Sequence, residues 1–218
     1  MRAMTRLLLL AVLAATFLVP PAASAALTEL GALPSGTTGS CPQGPCEAVT
    51  RATAYQAKVG PSRNLYRAPA GGRVVAWSLA LGDPSADQVR GFNEAFGQPQ
   101  AALVILRPGA SLRHRVVHKG PMTGLTPWLG RTAQFPLPRT LPVREGDLIA
   151  VTVPTWAPIL RPGEPGTTSW RASRPAAECR DVTTQRAMLG RRTTADFSCL
   201  YRTVRLTYSA TFVPYPRR

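Results

Sequence analysis

Arg202-Thr-Val-Arg-Leu-Thr-Tyr-Ser-Ala-Thr-Phe-Val213 is the stretch that decides the fold class. Val204, Leu206, Tyr208, Ala210 and Phe212 fall on one face, and Arg205, Thr207, Ser209 and Thr211 on the other. Side chains alternate across a strand, so this reads as a half-buried strand, the last of a sheet. Upstream, Leu148-Ile-Ala-Val-Thr-Val153 follows the turn Glu145-Gly-Asp147 and is apolar enough for a central strand. Further short runs lie at 48–59, 73–81, 101–106, 112–117 and 132–137. Turn residues separate them: Pro61-Ser-Arg-Asn64, Pro108-Gly109 and Gly120-Pro121.

One segment departs from this pattern. Residues 84–96 read as a short helix. Ser85 with Gln88 has the capping-box form, Val89, Phe92 and Phe96 recur at helical spacing, and Gly97 suits the stop. Many short strands with Pro and Gly turns and a single small helix predict an all-β chain. The expected form is an antiparallel sandwich, jelly-roll-like in topology.

The chain begins with Arg2 and Arg6, then an apolar run from Leu7 to Val19, then Pro20-Pro21 and Ala23-Ser-Ala25. That is the order of a secretory signal peptide, expected as a signal helix over 1–25 with cleavage near Ala25. The run is shorter than the roughly 20 residues that cross a bilayer, and no second run reaches that length, so no membrane span is expected. Residues 26–40 read as a flexible lead-in, and 41–215 as one β-sandwich domain. The expected location is extracellular or at the cell envelope.

The formal net charge is +15, almost all of it arginine, since Lys58 and Lys119 are the only lysines. A basic surface attracts polyanions. Outside a cell those are wall polymers, acidic glycans or lipid headgroups, and no specific nucleic-acid partner is expected. The arginine-over-lysine bias also fits codon usage in a GC-rich bacterial genome.

The 4 cysteines lie beyond the leader, where they meet an oxidising compartment. Cys41-Pro-Gln-Gly-Pro-Cys46 closes easily on itself, and Cys179 and Cys199 bracket one polar loop. The expected disulfides are Cys41–Cys46 and Cys179–Cys199. The 2 histidines, His114 and His118, are too far apart along a strand to share a metal, so neither metal nor cofactor is expected. No nucleophile elbow, phosphate loop or dinucleotide fingerprint is present.

The stretch Leu141-Pro-Val-Arg-Glu-Gly-Asp-Leu-Ile-Ala-Val-Thr-Val153 resembles the turn and strand of secreted bacterial jelly-roll modules. Together with Gly72-Arg-Val-Val-Ala-Trp-Ser78, the Cys41/Cys46 pair and Ser169-Trp-Arg-Ala-Ser173, it makes the chain similar to a group of uncharacterised exported bacterial proteins. The resemblance implies a fold and no activity.

Trp128, Trp156 and Trp170 lie in Pro-, Thr- and Ser-rich contexts. Loop tryptophans on a sandwich can form platforms for sugar rings. Arg171 and Arg174 beside Trp170 could hold acidic sugars bidentately. These five residues are the candidate ligand site. The leading functional reading is a secreted, non-catalytic protein that binds an envelope glycan or other anionic polymer. An extracellular carbohydrate-active hydrolase or lyase, and a structural or interaction subunit of the envelope, are the alternatives.

Overall fold

A computed structural model describes residues 27–216, so the expected signal segment lies outside the described residues. The strands are β1 (Thr28–Leu30), β2 (Val49–Lys58), β3 (Gly72–Ala80), β4 (Gln100–Pro108), β5 (Arg113–Lys119), β6 (Thr123–Gly124) and β7 (Thr132–Val143). They continue with β8 (Leu148–Ala157), β9 (Leu160–Pro162), β10 (Ser169–Ala172), β11 (Thr194–Asp196), β12 (Cys199–Arg202), β13 (Val204–Leu206) and β14 (Tyr208–Pro214). A helix, α1 (Ala86–Phe96), joins β3 to β4. No helix among the described residues is long and apolar enough to cross a membrane.

The smaller sheet runs β1-β14-β3-β7, and the larger contains β5-β4-β8-β2 at its centre, with every pair antiparallel. Take β1, β2, β3, β4, β5, β7, β8 and β14 as the first to eighth strands in chain order. The two sheets then pair first-eighth-third-sixth and second-seventh-fourth-fifth, the double Greek key of a jelly roll. The expected all-β sandwich is therefore what forms.

The core lies between the sheets. Val74, Trp77, Leu79, Tyr208, Ala210 and Phe212 of the smaller sheet meet Ala52, Ala54, Leu103, Ile105, Ile149, Val151 and Val153 of the larger. The larger sheet is also covered outside. Tyr55, Val104, Leu106, Val116, Leu148 and Ala150 pack there against Met188 and Phe197. This explains why 101–106 and 148–153 are continuously apolar. A strand buried on both faces has no solvent face to make polar.

The helix begins as its sequence predicts. Gln88 N–H donates to Ser85 Oγ (3.3 Å) and Ser85 N–H to Gln88 Oε1 (2.8 Å).

Two expectations are corrected. Residues 26–40 do not form a free lead-in. β1 pairs with β14, Leu30 is buried, Gly31 N–H donates to the Leu65 carbonyl (2.7 Å), and Ser40 N–H to that of Leu160 (2.8 Å). Gly31 has φ 72°, and a Cβ there would stand 2.3 Å from the Tyr66 ring. The sheet starts at Thr28 because β14 would otherwise present an unpaired edge.

The alternating run 202–213 is also not one strand. β12 ends at Arg202, and Thr203 turns with φ 61°. β13 then pairs with β9, and β14 joins the smaller sheet. Thr207 links the two by donating its N–H to Ile159 O (2.9 Å) and its hydroxyl to Ala80 O (2.6 Å). As the chain crosses between sheets, Arg205, Thr207 and Ser209 are buried with their apolar neighbours. Arg205 Nη2 donates to Ala32 O (2.7 Å), while the Arg205 Nε stays buried without a hydrogen-bond partner.

Candidate functional site

Residues 158–207 are an excursion between the seventh and eighth jelly-roll strands. They extend the larger sheet at both ends, adding β10 and β12 beyond β2 and β11 beyond β5. The Cys179–Cys199 disulfide closes this excursion, and Cys41–Cys46 closes a turn before β2, both as expected from the spacing.

Antiparallel register then sets side chains from distant sequence in rows. Lys58, Ser169 and Arg202 stand opposite one another across β2, β10 and β12. Gln56, Trp170 and Tyr201 form the next row, and Tyr55, Arg171 and Leu200 the one after. β12 is the outermost strand on this side.

The Lys58 row borders a cavity of about 370 Å³ lined by Ala57, Lys58, Arg63, Ser169, Arg171, Leu200 and Arg202. Four cations and no carboxylate line it. None of the four lies in an ion pair among the described residues. Arg171 is held in place by its Nη1, which donates to the carbonyls of Phe197 (2.9 Å) and Ser198 (3.2 Å). Like charges gathered without counter-charge create a positive potential that an anion relieves.

A larger cavity of about 700 Å³ adjoins it, with Leu200 and Arg202 bordering both. Val49, Leu160, Trp170 and Val204 give it apolar walls, with Arg174, Tyr201 and Glu47 among the polar ones. Trp170 stacks on Tyr201, their ring centroids 4.3 Å apart. Arg174 is 2% exposed and has no carboxylate within ion-pair distance. Its Nη2 donates to Thr50 O (2.6 Å), while its Nε and the Trp170 Nε1 have no hydrogen-bond partner. A buried charge left uncompensated is costly.

The five candidate residues are thus not one platform. Trp170 and Arg174 line the larger cavity and Arg171 the smaller one. Trp156 is fully buried, stacked on Phe92 of α1 at 4.7 Å, with Nε1 donating to Asn93 Oδ1 (3.0 Å) and Gly97 O (2.9 Å). Trp128 is 39% exposed and meets Phe135 edge-on, away from both cavities. Lys58, Arg63, Arg202, Glu47 and Tyr201 were not singled out by the sequence. The register of β2, β10 and β12 brings Lys58, Tyr201 and Arg202 together, and the loops before and after β2 add Glu47 and Arg63.

Other polar residues have structural duties. Asp147 accepts a bidentate pair from Arg107 (3.0 and 2.9 Å) and a hydrogen bond from Arg144 N–H (2.9 Å), and it holds the Arg107 guanidinium above its ordinary pKa. His114 is buried between Tyr55 and Phe197, its Nε2 3.3 Å from the Tyr55 hydroxyl. Burial pushes its pKa down, and does the same to His118. Burial also pushes the Tyr66 hydroxyl up to about 12. Among the described residues no three His, Cys, Asp or Glu side chains are grouped to hold a metal.

Comparison with protein-family models, curated sequences and solved structures finds no match to this chain.

Proposed function

We propose that this chain is an exported, non-catalytic jelly-roll protein that binds an acidic envelope glycan or wall polymer in a cleft at the β2-β10-β12 edge of the larger sheet. The observation that carries this reading is the cavity walled by Lys58, Arg63, Arg171 and Arg202 with no carboxylate among its lining residues. Export is supported by the leader-like segment up to Ala25 and by two disulfides, which persist in oxidising compartments. A binding role is favoured over glycoside hydrolysis because Glu47 is the one carboxylate lining either cavity. Hydrolysis of that kind uses a facing pair.

The test is a binding isotherm of the full chain on polygalacturonate, with neutral dextran as control, at low and moderate salt. Wild-type protein should bind polygalacturonate, with an affinity that falls as salt rises. Combining Arg63→Glu with Arg202→Glu should weaken it by about tenfold or more, because steering and pairing both reverse sign. Equal binding by wild type and double variant, or equal binding to dextran, overturns the reading.

A further inference from the structure

We propose that Arg174 is a second anion subsite, so that the cleft takes a linear acidic polysaccharide with anionic groups on successive units rather than one isolated anion. This rests on the polymer-binding reading above and adds to it a second point of recognition, in the larger cavity.

Arg174 is almost wholly buried, yet lacks a carboxylate partner and has an unpartnered Nε. Of the four buried side-chain nitrogens without a partner among the described residues, the Arg174 Nε and the Trp170 Nε1 belong to residues that line this cavity, while those of Arg205 and His114 do not. Two residues that line one cavity thus each carry a buried donor without a partner, one of them charged, and an oxyanion seated between them would satisfy both. Both are held rigidly. Trp170 lies against Tyr201, and Arg174 is tied to Thr50 O and follows the β10 strand.

Trp170 and Arg171 are successive residues of β10, so the two cavities lie on opposite faces of the sheet, and Leu200 and Arg202 of the edge strand β12 border both; a chain passes from one to the other round that edge, over the exposed Arg202. One anionic group then meets the four-cation cavity and another meets Arg174. The apolar walls at Val49, Leu160 and Val204 suit the apolar faces of sugar rings between them. Two linked contacts raise affinity through effective concentration, so the expected signature is a dependence on ligand length.

The experiment measures affinity of the full chain for galacturonic acid and for its di-, tri-, tetra- and hexamer by calorimetry. Wild type should gain at least about tenfold in affinity between the monomer and an oligomer long enough to reach both cavities. Arg174→Gln should abolish that gain, and Arg174→Lys should restore part of it. Arg90→Gln, which removes the same charge from α1, should leave the gain intact. Circular dichroism and thermal melting confirm that each variant is folded.

A length gain that survives Arg174→Gln, or equal affinity for monomer and oligomers, overturns the two-subsite inference while the single basic cavity stands. No binding of any oligomer overturns both readings. An oligothymidylate of matching charge that binds as tightly, with the same loss in Arg174→Gln, overturns the assignment to a polysaccharide.

Discussion

Trp170 lies nearly flat on Tyr201, its cross-strand neighbour, with ring planes 21° apart and centroids 4.3 Å apart. The pair joins β10 to the edge strand β12, and the Tyr201 hydroxyl reaches on to Cys179 O (2.7 Å). A stacked pair contributes about 1 kcal/mol beyond its area burial. A double-mutant cycle with Trp170→Ala and Tyr201→Ala should therefore show coupling of about 1 kcal/mol in urea unfolding. Tyr201→Phe keeps the ring and loses only the hydrogen bond, at a cost of about 1 kcal/mol. Additive single-mutant costs would show that the edge strand is held by its backbone ladder alone.

His114 makes stability depend on pH. Its folded pKa is lowered, mainly by burial, below the ordinary 6.5. Between those two values the unfolded chain binds the proton and the folded chain does not. Stability therefore rises with pH across that window and is lost as pH falls below about 6.5. Arg113 backbone contact opposes this shift, and the charges of Arg67 and Arg171 reinforce it. His118 is shifted the same way, so it adds to the slope. The urea midpoint of wild type should be lower at about pH 5 than at about pH 7. His114→Phe, packed between Tyr55 and Phe197, should reduce that difference. A wild-type midpoint independent of pH would show that the ring stays solvated.

Much of this architecture was legible in the sequence because it rests on local rules. The Ser85 and Gln88 cap, the Pro108-Gly109 turn and the closely spaced cysteines each act over a few residues. The runs at 101–106 and 148–153 announce burial on both faces. The break at Thr203 was hidden because alternation continues through it, although the pairing partner changes from β10 to β9 and then to β3. β1 was hidden because Leu30 is the only residue it buries. The cleft was only half legible. Trp170, Arg171 and Arg174 are close in sequence, but Lys58 and Arg202 join them through strand register and Arg63 through the turn after β2, neither of which composition encodes.

Trp156 is an anchor for α1 rather than a ligand platform. No residue of α1 is buried, so the helix holds to the sandwich through few contacts. Phe92 stacking on the Trp156 ring, and the indole N–H shared by Asn93 and Gly97, are central among them. Trp156→Phe keeps an aromatic ring but leaves Asn93 Oδ1 and Gly97 O without that donor, at a cost of about 1–3 kcal/mol. Amide exchange should speed up within α1 more than in β4 or β8. Uniform acceleration across the protein would mean that the helix unfolds only with the whole sandwich.

The two disulfides should separate stability from binding. Cys179–Cys199 spans 20 residues and Cys41–Cys46 spans 5. In the chain-entropy account, removing the longer loop closure costs about 3 kcal/mol and the shorter about 2 kcal/mol. Residues next to each disulfide line the larger cavity, Glu47 after Cys46 and Leu200 after Cys199, but only the longer one adjoins the groups that hold Arg171 in the four-cation cavity. Arg171 is bonded to the carbonyls of Phe197 and Ser198, the residues just before Cys199, and Leu200 just after it borders both cavities. Cys179→Ala with Cys199→Ala frees that segment, so the cation cluster loses its fixed spacing along with its stability. Polygalacturonate affinity should fall by about tenfold in this variant, measured well below its melting temperature, because pre-organisation is lost. Cys41→Ala with Cys46→Ala should leave affinity within about twofold while lowering the melting temperature. Equal affinity in both variants would mean that the β10–β12 ladder alone fixes Arg171, and that the disulfide serves only to stabilise the fold.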